Sequence, residues 1–425
     1  MGTSVRHGVK NAARLIRRPF VSIAVRVGAL ISLPTTISKI GNPLLSILRP
    51  RFRGHVNALA DTKHVLIVRL DEIGDVVLTT PFLRELRRNF PNAKVSLVVK
   101  PAVVNLVERC PYVDAVLSYD WESERNLNVW RRHWRALRFS RRFWRQDPID
   151  LAILPRWDSD IYHGAFLAYF CAAIRRVTYS ERVNEVKQRL NAGYDHLFTD
   201  IVTNGGVAHE VERNLNVLRF LGSSINSEQL ELWLDGDDEL FADRLLHREN
   251  TSGVIALGIG KRDPRKMWPI SNFVQVGTWL SDTFRARILV LGGQEEKPLA
   301  EQLSEELGNA VINAVGKTTL RQAAALLKRC RLYVGIDSGL MHIAAAAGVP
   351  VVAIFCHPRD GSPVHANAPQ RFGPWGVPST ILQPEPLPPC RDACVATEAH
   401  CILGVSVEMV KEAVMRQLAM PGPAV

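Results

Sequence analysis

Asp337-Ser338-Gly339-Leu340-Met341-His342 sets an acid, a hydroxyl, a glycine and a histidine within six residues, after the apolar run LYVGI and before a run of alanines. Where a strand hands over to a helix, the first helical N–H groups lack intrahelical partners and can bind an anion. Gly339 would let a ligand approach the backbone, and His342 falls on the face of Ser338 at i+4. Alone, the block reads first as a helix cap, Asp337 or Ser338, followed by a packed histidine. The segment GKRDPRKMW (260–268) gathers Lys261, Arg262, Arg265 and Lys266 near Trp268. It offers a diphosphate point charges and a bidentate partner, or it is a solvated basic loop. In GGQEE (292–296), Glu295 or Glu296 suits the ribose hydroxyls of a nucleotide; both also suit the start of a following helix. In DEIGD (71–75), Asp75 follows Gly74 at a strand–helix turn. A carboxylate there can take a proton from an acceptor hydroxyl, or serve as a first-turn helix acid.

These groups need elements to hold them. From Asp61 onward, short Val/Ile/Leu runs alternate with longer amphipathic segments, which predicts parallel sheets buried on both faces. The strand candidates in the first half are 65–70, 94–99, 115–119, 150–154 and 175–179, with helices such as 82–90 and 158–172. In the second half they are 253–259, 286–293, 332–336 and 351–355, with helices near 271–284, 295–307 and 319–328. The expected fold is α/β, with two Rossmann-like domains meeting around 235–250. Ligands of such sheets bind at the carboxyl ends of the strands, where all four segments above fall.

Charge is unevenly placed. The net charge is +11, and the first 60 residues hold ten Lys or Arg and no Asp or Glu. Apolar residues such as Val9, Ile16, Phe20 and Ile23 interleave with them, and Arg26, Pro34 and Lys39 break the longest apolar part. A basic amphipathic segment on an anionic surface fits better than a spanning helix or a cleaved signal peptide; a solvated tail is the plain alternative. The stretch 121–145 has eight arginines from 125 on, interleaved with Trp121, Trp130, Trp134, Phe139, Phe143 and Trp144. Such a pattern suits stacking on nucleic-acid bases, anionic lipid headgroups or a solvated helix face, and no nucleic-acid-binding module is recognisable elsewhere. Of the seven cysteines, Cys390, Cys394 and Cys401 cluster late in the chain. Three thiols do not complete a tetrahedral zinc site. His400, adjoining Cys401, is poorly placed to share a metal, so a thiol cluster or a disulfide is expected.

Taken together and in order, these motifs resemble glycosyltransferase family 9, the lipopolysaccharide heptosyltransferase family. The residues that carry the resemblance are VLIVRLDEIGDVVLTTPFLRELRRNFP, HEVERNLNVLRFLG (209–222), GKRDPRKMWP, VLGGQEE, the block from Leu320 through Phe355, and RFGPWG (371–376). The resemblance covers about residues 61–415. It implies a GT-B fold, two Rossmann-like domains facing across a cleft: an acceptor domain over 61–235 and a nucleotide-sugar donor domain over 236–425, after a basic extension over 1–60. It implies inverting, metal-independent transfer of heptose from ADP-heptose to a lipid-linked lipopolysaccharide core sugar, with no cofactor and no nucleic acid. Another nucleotide sugar or acceptor, or a non-catalytic nucleotide-sugar-binding protein, is the alternative. By the resemblance, Asp75 is the general base and Lys266 binds donor phosphate. Asp337, Ser338, Gly339 and His342 form the donor block, and Glu295 or Glu296 meets the ribose. Gly74, Thr79, Thr80, Lys261 and Arg262 are candidate phosphate or acceptor contacts. The expected location is cytoplasmic, against the anionic inner membrane through residues 1–55 and 121–145. The loop GIGKRD departs from a family pattern that often has a small hydroxyl residue near Gly260, and Ser338 stands where Thr is commoner.

Overall fold

The computed structural model describes residues 34–48, 62–144, 147–246, 253–260 and 263–419. Two six-stranded parallel sheets form the framework. The first contains β1 (His64–Arg69), β2 (Lys94–Val99), β3 (Ala115–Ser118), β4 (Leu151–Leu154), β5 (Arg175–Tyr179) and β6 (Asp200–Val202), in the order β3-β2-β1-β4-β5-β6. The second contains β7 (Val254–Gly258), β8 (Arg287–Leu291), β9 (Val311–Asn313), β10 (Leu332–Ile336), β11 (Val351–Ile354) and β12 (Ser379–Leu382), in the order β12-β11-β10-β7-β8-β9. Counted within each sheet, both follow the doubly wound order 3-2-1-4-5-6. Its strand order reverses beside the first strand, and that reversal opens a crevice for ligands at the carboxyl ends. In the second sheet it falls between β7 and β10, which pair in parallel with Gly258 opposite Gly335. Both glycines are needed because the Tyr333 side chain lies across them. A Cβ on Gly258 would meet the Tyr333 hydroxyl at 1.9 Å, and one on Gly335 at 2.6 Å.

The described residues divide into two compact units, one ending at Val68 and resuming over Trp121–Thr203, the other made of Arg69–Asp120 and Asn204 onward. In the first unit the helix Pro34–Leu48 starts on a proline, whose missing N–H costs nothing at a helix start. Tyr169 donates to Ile37 O at 3.3 Å and contacts Asn42 Oδ1 at 3.2 Å, which ties this helix down. Ile40 and Leu44 on it remain more than half exposed. The rest of the expected basic extension, residues 1–33 and 49–60, lies outside the described residues. Among those described, no helix is long and apolar enough to cross a membrane.

The arginine-rich stretch folds as the helix Val129–Ser140, capped by Asn128, whose side chain accepts from Arg131 N at 2.9 Å. His133, Ala136 and Ser140 face inward, while Trp130 and Trp134 are 43% and 58% exposed. Arg138 stacks over Trp134 at 5.6 Å and Arg142 over Phe139 at 4.1 Å. In the second unit, Ile255, Leu257, Val290, Val334 and Ile336 build the core with Phe273 and Trp268. The helix Gly339–Ala346 presses its small buried residues, Ala344 and Ala345, against this sheet and so fixes its N-terminus at the crevice.

Candidate active site

The second unit brings the DEIGD turn onto the donor block. The helix Ile73–Val77 packs on the helix Gly339–Ala346 through their first turns. A Cβ on Gly74 would stand 2.5 Å from His342 Cδ2, and one on Gly339 would stand 2.8 Å from Ile73 Cβ. The glycine at 339 thus also serves a close helix–helix approach. His342 is 3% exposed and lies over Gly74. Asp75 is thus positioned directly by the donor block.

Asp75 is recessed, its side chain 20% exposed. Arg69 Nη2 is 3.7 Å from Asp75 Oδ1 and donates to Asp75 O at 3.4 Å. Burial pushes the Asp75 carboxyl up to about 6; Arg69 opposes this, Glu210 and Glu72 add to it, and Arg371 opposes it. A base poised near neutral pH suits proton removal from a sugar hydroxyl. None of these four neighbours had a role from sequence. Arg69 ends β1 and also lies 3.4 Å from Asp71. Glu210 and Arg371 come from the motifs HEVERN and RFGPWG, which dock on each other. Arg371 Nη2 donates to Glu210 Oε1 at 2.6 Å, with Arg213 Nε 3.7 Å from the same oxygen. His209 stacks on Trp375 at 4.4 Å and contacts Gly373 O at 3.0 Å. The available signal was charge buried within motifs lying away from strand ends.

Lys266 follows β7 and Asp337 follows β10, and the two meet as a buried, hydrogen-bonded ion pair at the reversal of strand order. Lys266 is thus oriented by Asp337, with further protons for a second acceptor. Other basic groups converge beside it. His357 stacks on His365 at 5.1 Å. Burial, then His357, Arg371, Lys266 and Arg265, hold the His365 imidazole down at about 4. Each of these cations is itself ion-paired: Lys266 with Asp337, Arg265 with Asp263 and Arg371 with Glu210. Ser338 caps the next helix in extended conformation, leaving its first N–H groups directed out of the helix.

The remaining candidates are placed as follows. Glu296 Oε2 accepts from Gly293 N at 2.6 Å and its chain fills the space over Gly260, whereas Glu295 is exposed. Thr79 and Thr80 are buried and donate to Asp75 O at 2.7 Å and Val77 O at 2.8 Å, and Asn214 donates to Leu78 O at 3.0 Å. They brace the turn carrying Asp75. Lys261 and Arg262 lie outside the described residues. All seven cysteines are free thiols, so the late cluster is not a disulfide. His400 is well placed beside it, contrary to expectation. Its backbone, at φ −140° and ψ −88°, turns the ring back so that Nδ1 lies 3.4 Å from Cys401 Sγ and 3.6 Å from Cys390 Sγ.

The fold is that of GT-B proteins. The glycosyltransferase family 9 protein from Veillonella parvula superimposes with a TM-score of 0.67 at 22% identity, over 84% of this chain and 97% of that one. Escherichia coli ADP-heptose LPS heptosyltransferase II does so with a TM-score of 0.61 at 18% identity, over 84% and 98%. The family model of glycosyltransferase family 9 (heptosyltransferase) matches residues 160–397, more than half of the chain, and the chain belongs to that family. It is 35% identical to lipooligosaccharide heptosyltransferase 2 of Haemophilus influenzae over 96 residues, 22% of this chain and only 28% of that protein. It is 24% identical to lipopolysaccharide heptosyltransferase 3 of Escherichia coli over 289 residues, 66% and 80% of the two chains.

Proposed function

We propose that this glycosyltransferase moves heptose from ADP-heptose onto a lipid-linked lipopolysaccharide core sugar, with inversion and with no metal in the transfer step. Residues 61–235 carry the acceptor and 236–425 the donor. The observation that supports this best is the packing of the Asp75 turn on the Ser338–His342 block, which sets a poised base beside a phosphate-directed helix start. Asp75 takes the proton of the acceptor hydroxyl as its oxygen attacks the anomeric carbon from the face opposite the diphosphate. The carbon–oxygen bond to the diphosphate breaks, and the released charge is met by Lys266 and by the N–H groups that open the 339–346 helix. Preorganised charge of this kind is commonly the largest catalytic contribution. Glu295 or Glu296 meets the ribose hydroxyls of the donor. A thermal-shift screen across ADP-, GDP-, UDP- and dTDP-sugars tests the donor, since a ligand of the native state raises the melting temperature. ADP-heptose should give the largest rise; an equal response to all four would contradict the assignment.

With Asp75 near 6, kcat/KM should rise with pH through about 6 as the carboxylate forms. Glu210→Gln removes a charge that raises Asp75 and leaves Arg371 unneutralised, so the acid limb should move to lower pH. A pH–rate profile with an unmoved limb in this variant would break the link between Glu210 and Asp75.

We infer too that residues 1–55 and 121–145 hold the protein on an anionic membrane surface. Support comes from the basic composition of the former and the exposed Trp130 and Trp134 among arginines. Flotation with anionic vesicles should fall on removal of residues 1–55 and, separately, in Trp130→Ala/Trp134→Ala. Unchanged flotation in both would refute it.

A further inference from the structure

The late cysteine cluster has the makings of a built site. Cys390, Cys394, His400 and Cys401 place their ligand atoms within 4.8 Å of one another. The three sulfurs are buried, and His400 is half-buried beside them. A tetrahedral zinc ion with bonds of about 2.3 Å to sulfur and 2.0–2.1 Å to nitrogen sets each S···N edge at about 3.5 Å. The observed edges from His400 Nδ1 are 3.6 Å to Cys390 and 3.4 Å to Cys401. A single histidine hydrogen bond would account for one such distance; two to one nitrogen, with a third thiol alongside, match a shared centre. Val395 N also donates to Cys390 Sγ at 3.3 Å, a backbone contact that supports thiolate charge.

The surrounding chain gives the centre a purpose. Residues 383–400 contain no helix or strand. Here the three cysteines form a compact apolar grouping with Ala396. So long an irregular segment within a compact domain needs a fastening of its own. It lies over residues 357–362. Gln383 donates to His357 O at 3.1 Å and Pro358 O at 3.0 Å, Arg359 N donates to Pro384 O at 2.9 Å, and Ser362 N to Asp392 O at 2.9 Å. His357 in that segment stacks on His365, beside Lys266 and Arg265. A fastening here braces the segment that carries His357, close to Lys266.

We propose that Cys390, Cys394, His400 and Cys401 hold a structural zinc ion that locks the 383–400 segment against the 357–362 wall. Four protein ligands close the coordination shell, which marks a structural centre. Binding needs the thiols to lose their protons, so zinc displaces up to three protons to the solvent.

The test is elemental analysis of the full chain purified under reducing, low-oxygen conditions, alongside Cys394→Ala and Cys171→Ala. Wild type and Cys171→Ala should carry zinc at one ion per chain, and Cys394→Ala should lose it. Because Cys394 is buried and its loss also affects packing, a second measurement uses wild type alone. After stripping with a chelator, added cobalt should give the intense visible bands of tetrahedral thiolate coordination, which zinc then bleaches. Absence of stoichiometric metal together with no cobalt spectrum would overturn the proposal. So would zinc retained by Cys394→Ala, or iron in place of zinc in wild type.

Discussion

Asp75→Asn is expected to lower kcat by about 100- to 10,000-fold, the usual contribution of a positioned general base, while donor affinity stays close to that of wild type. The substitution keeps shape, so the packing of Gly74 under His342 and the bonds of Thr79 and Arg69 to the Asp75 carbonyl are retained. What is lost is a carboxylate held near neutral pH by burial. Rapid-quench measurement of a single turnover, with donor binding followed by calorimetry, separates the two effects. Transfer at the wild-type rate would remove Asp75 from the reaction; lost donor binding with unchanged chemistry would make it a structural residue.

Lys266→Met should act on stability and donor binding at once. It strands the Asp337 carboxylate, 6% exposed, without its ammonium partner. Breaking one side of a buried pair costs about 3–5 kcal/mol, whereas replacing both charges is often nearly neutral. Urea denaturation should therefore show a large loss for Lys266→Met and recovery of most of it in Lys266→Met/Asp337→Asn. The double variant should still bind donor weakly if the proposed contact of Lys266 with the diphosphate holds. If the double variant is no more stable than the single one, the pair is not what holds these two strand ends. If it binds donor like wild type, Lys266 does not meet the diphosphate.

Most of the framework is legible in the chain. The runs KVSLVV, RRVTY and LYVGI form β2, β5 and β10 at the bounds their composition indicates. The strands that escape notice are β6, β9 and β12. They are three or four residues long, sit at sheet edges, and are only partly buried, so they lack the continuous apolar run that marks a strand buried on both faces. The expected helix over 158–172 shortens to Gly164–Phe170, because the Asp160 carboxylate accepts from the N–H groups of Tyr162, Gly164 and Ala165 and holds the preceding residues in a loop. At the site, Asp75, Lys266 and the 337–342 block were readable as polar groups following apolar runs. Their mutual arrangement was not. Nothing in the order of residues says that Gly339 exists to admit Ile73, or that Lys266 meets Asp337 seventy-one positions away. The pairing of Glu210 with Arg371 spans 161 positions and shows itself only when the chain is folded. His400 misled for a related reason: adjacency to Cys401 suggests competition for space, and a single backbone turn makes it a neighbour of two sulfurs.

The most direct test of the account is to incubate the enzyme with ADP-heptose, with and without a lipid-linked core acceptor, and to follow ADP release and the anomeric configuration of the product by NMR. Release of ADP that depends on the acceptor, with a product of inverted configuration, is expected. ADP release at the same rate without acceptor, or a product of retained configuration, would contradict it.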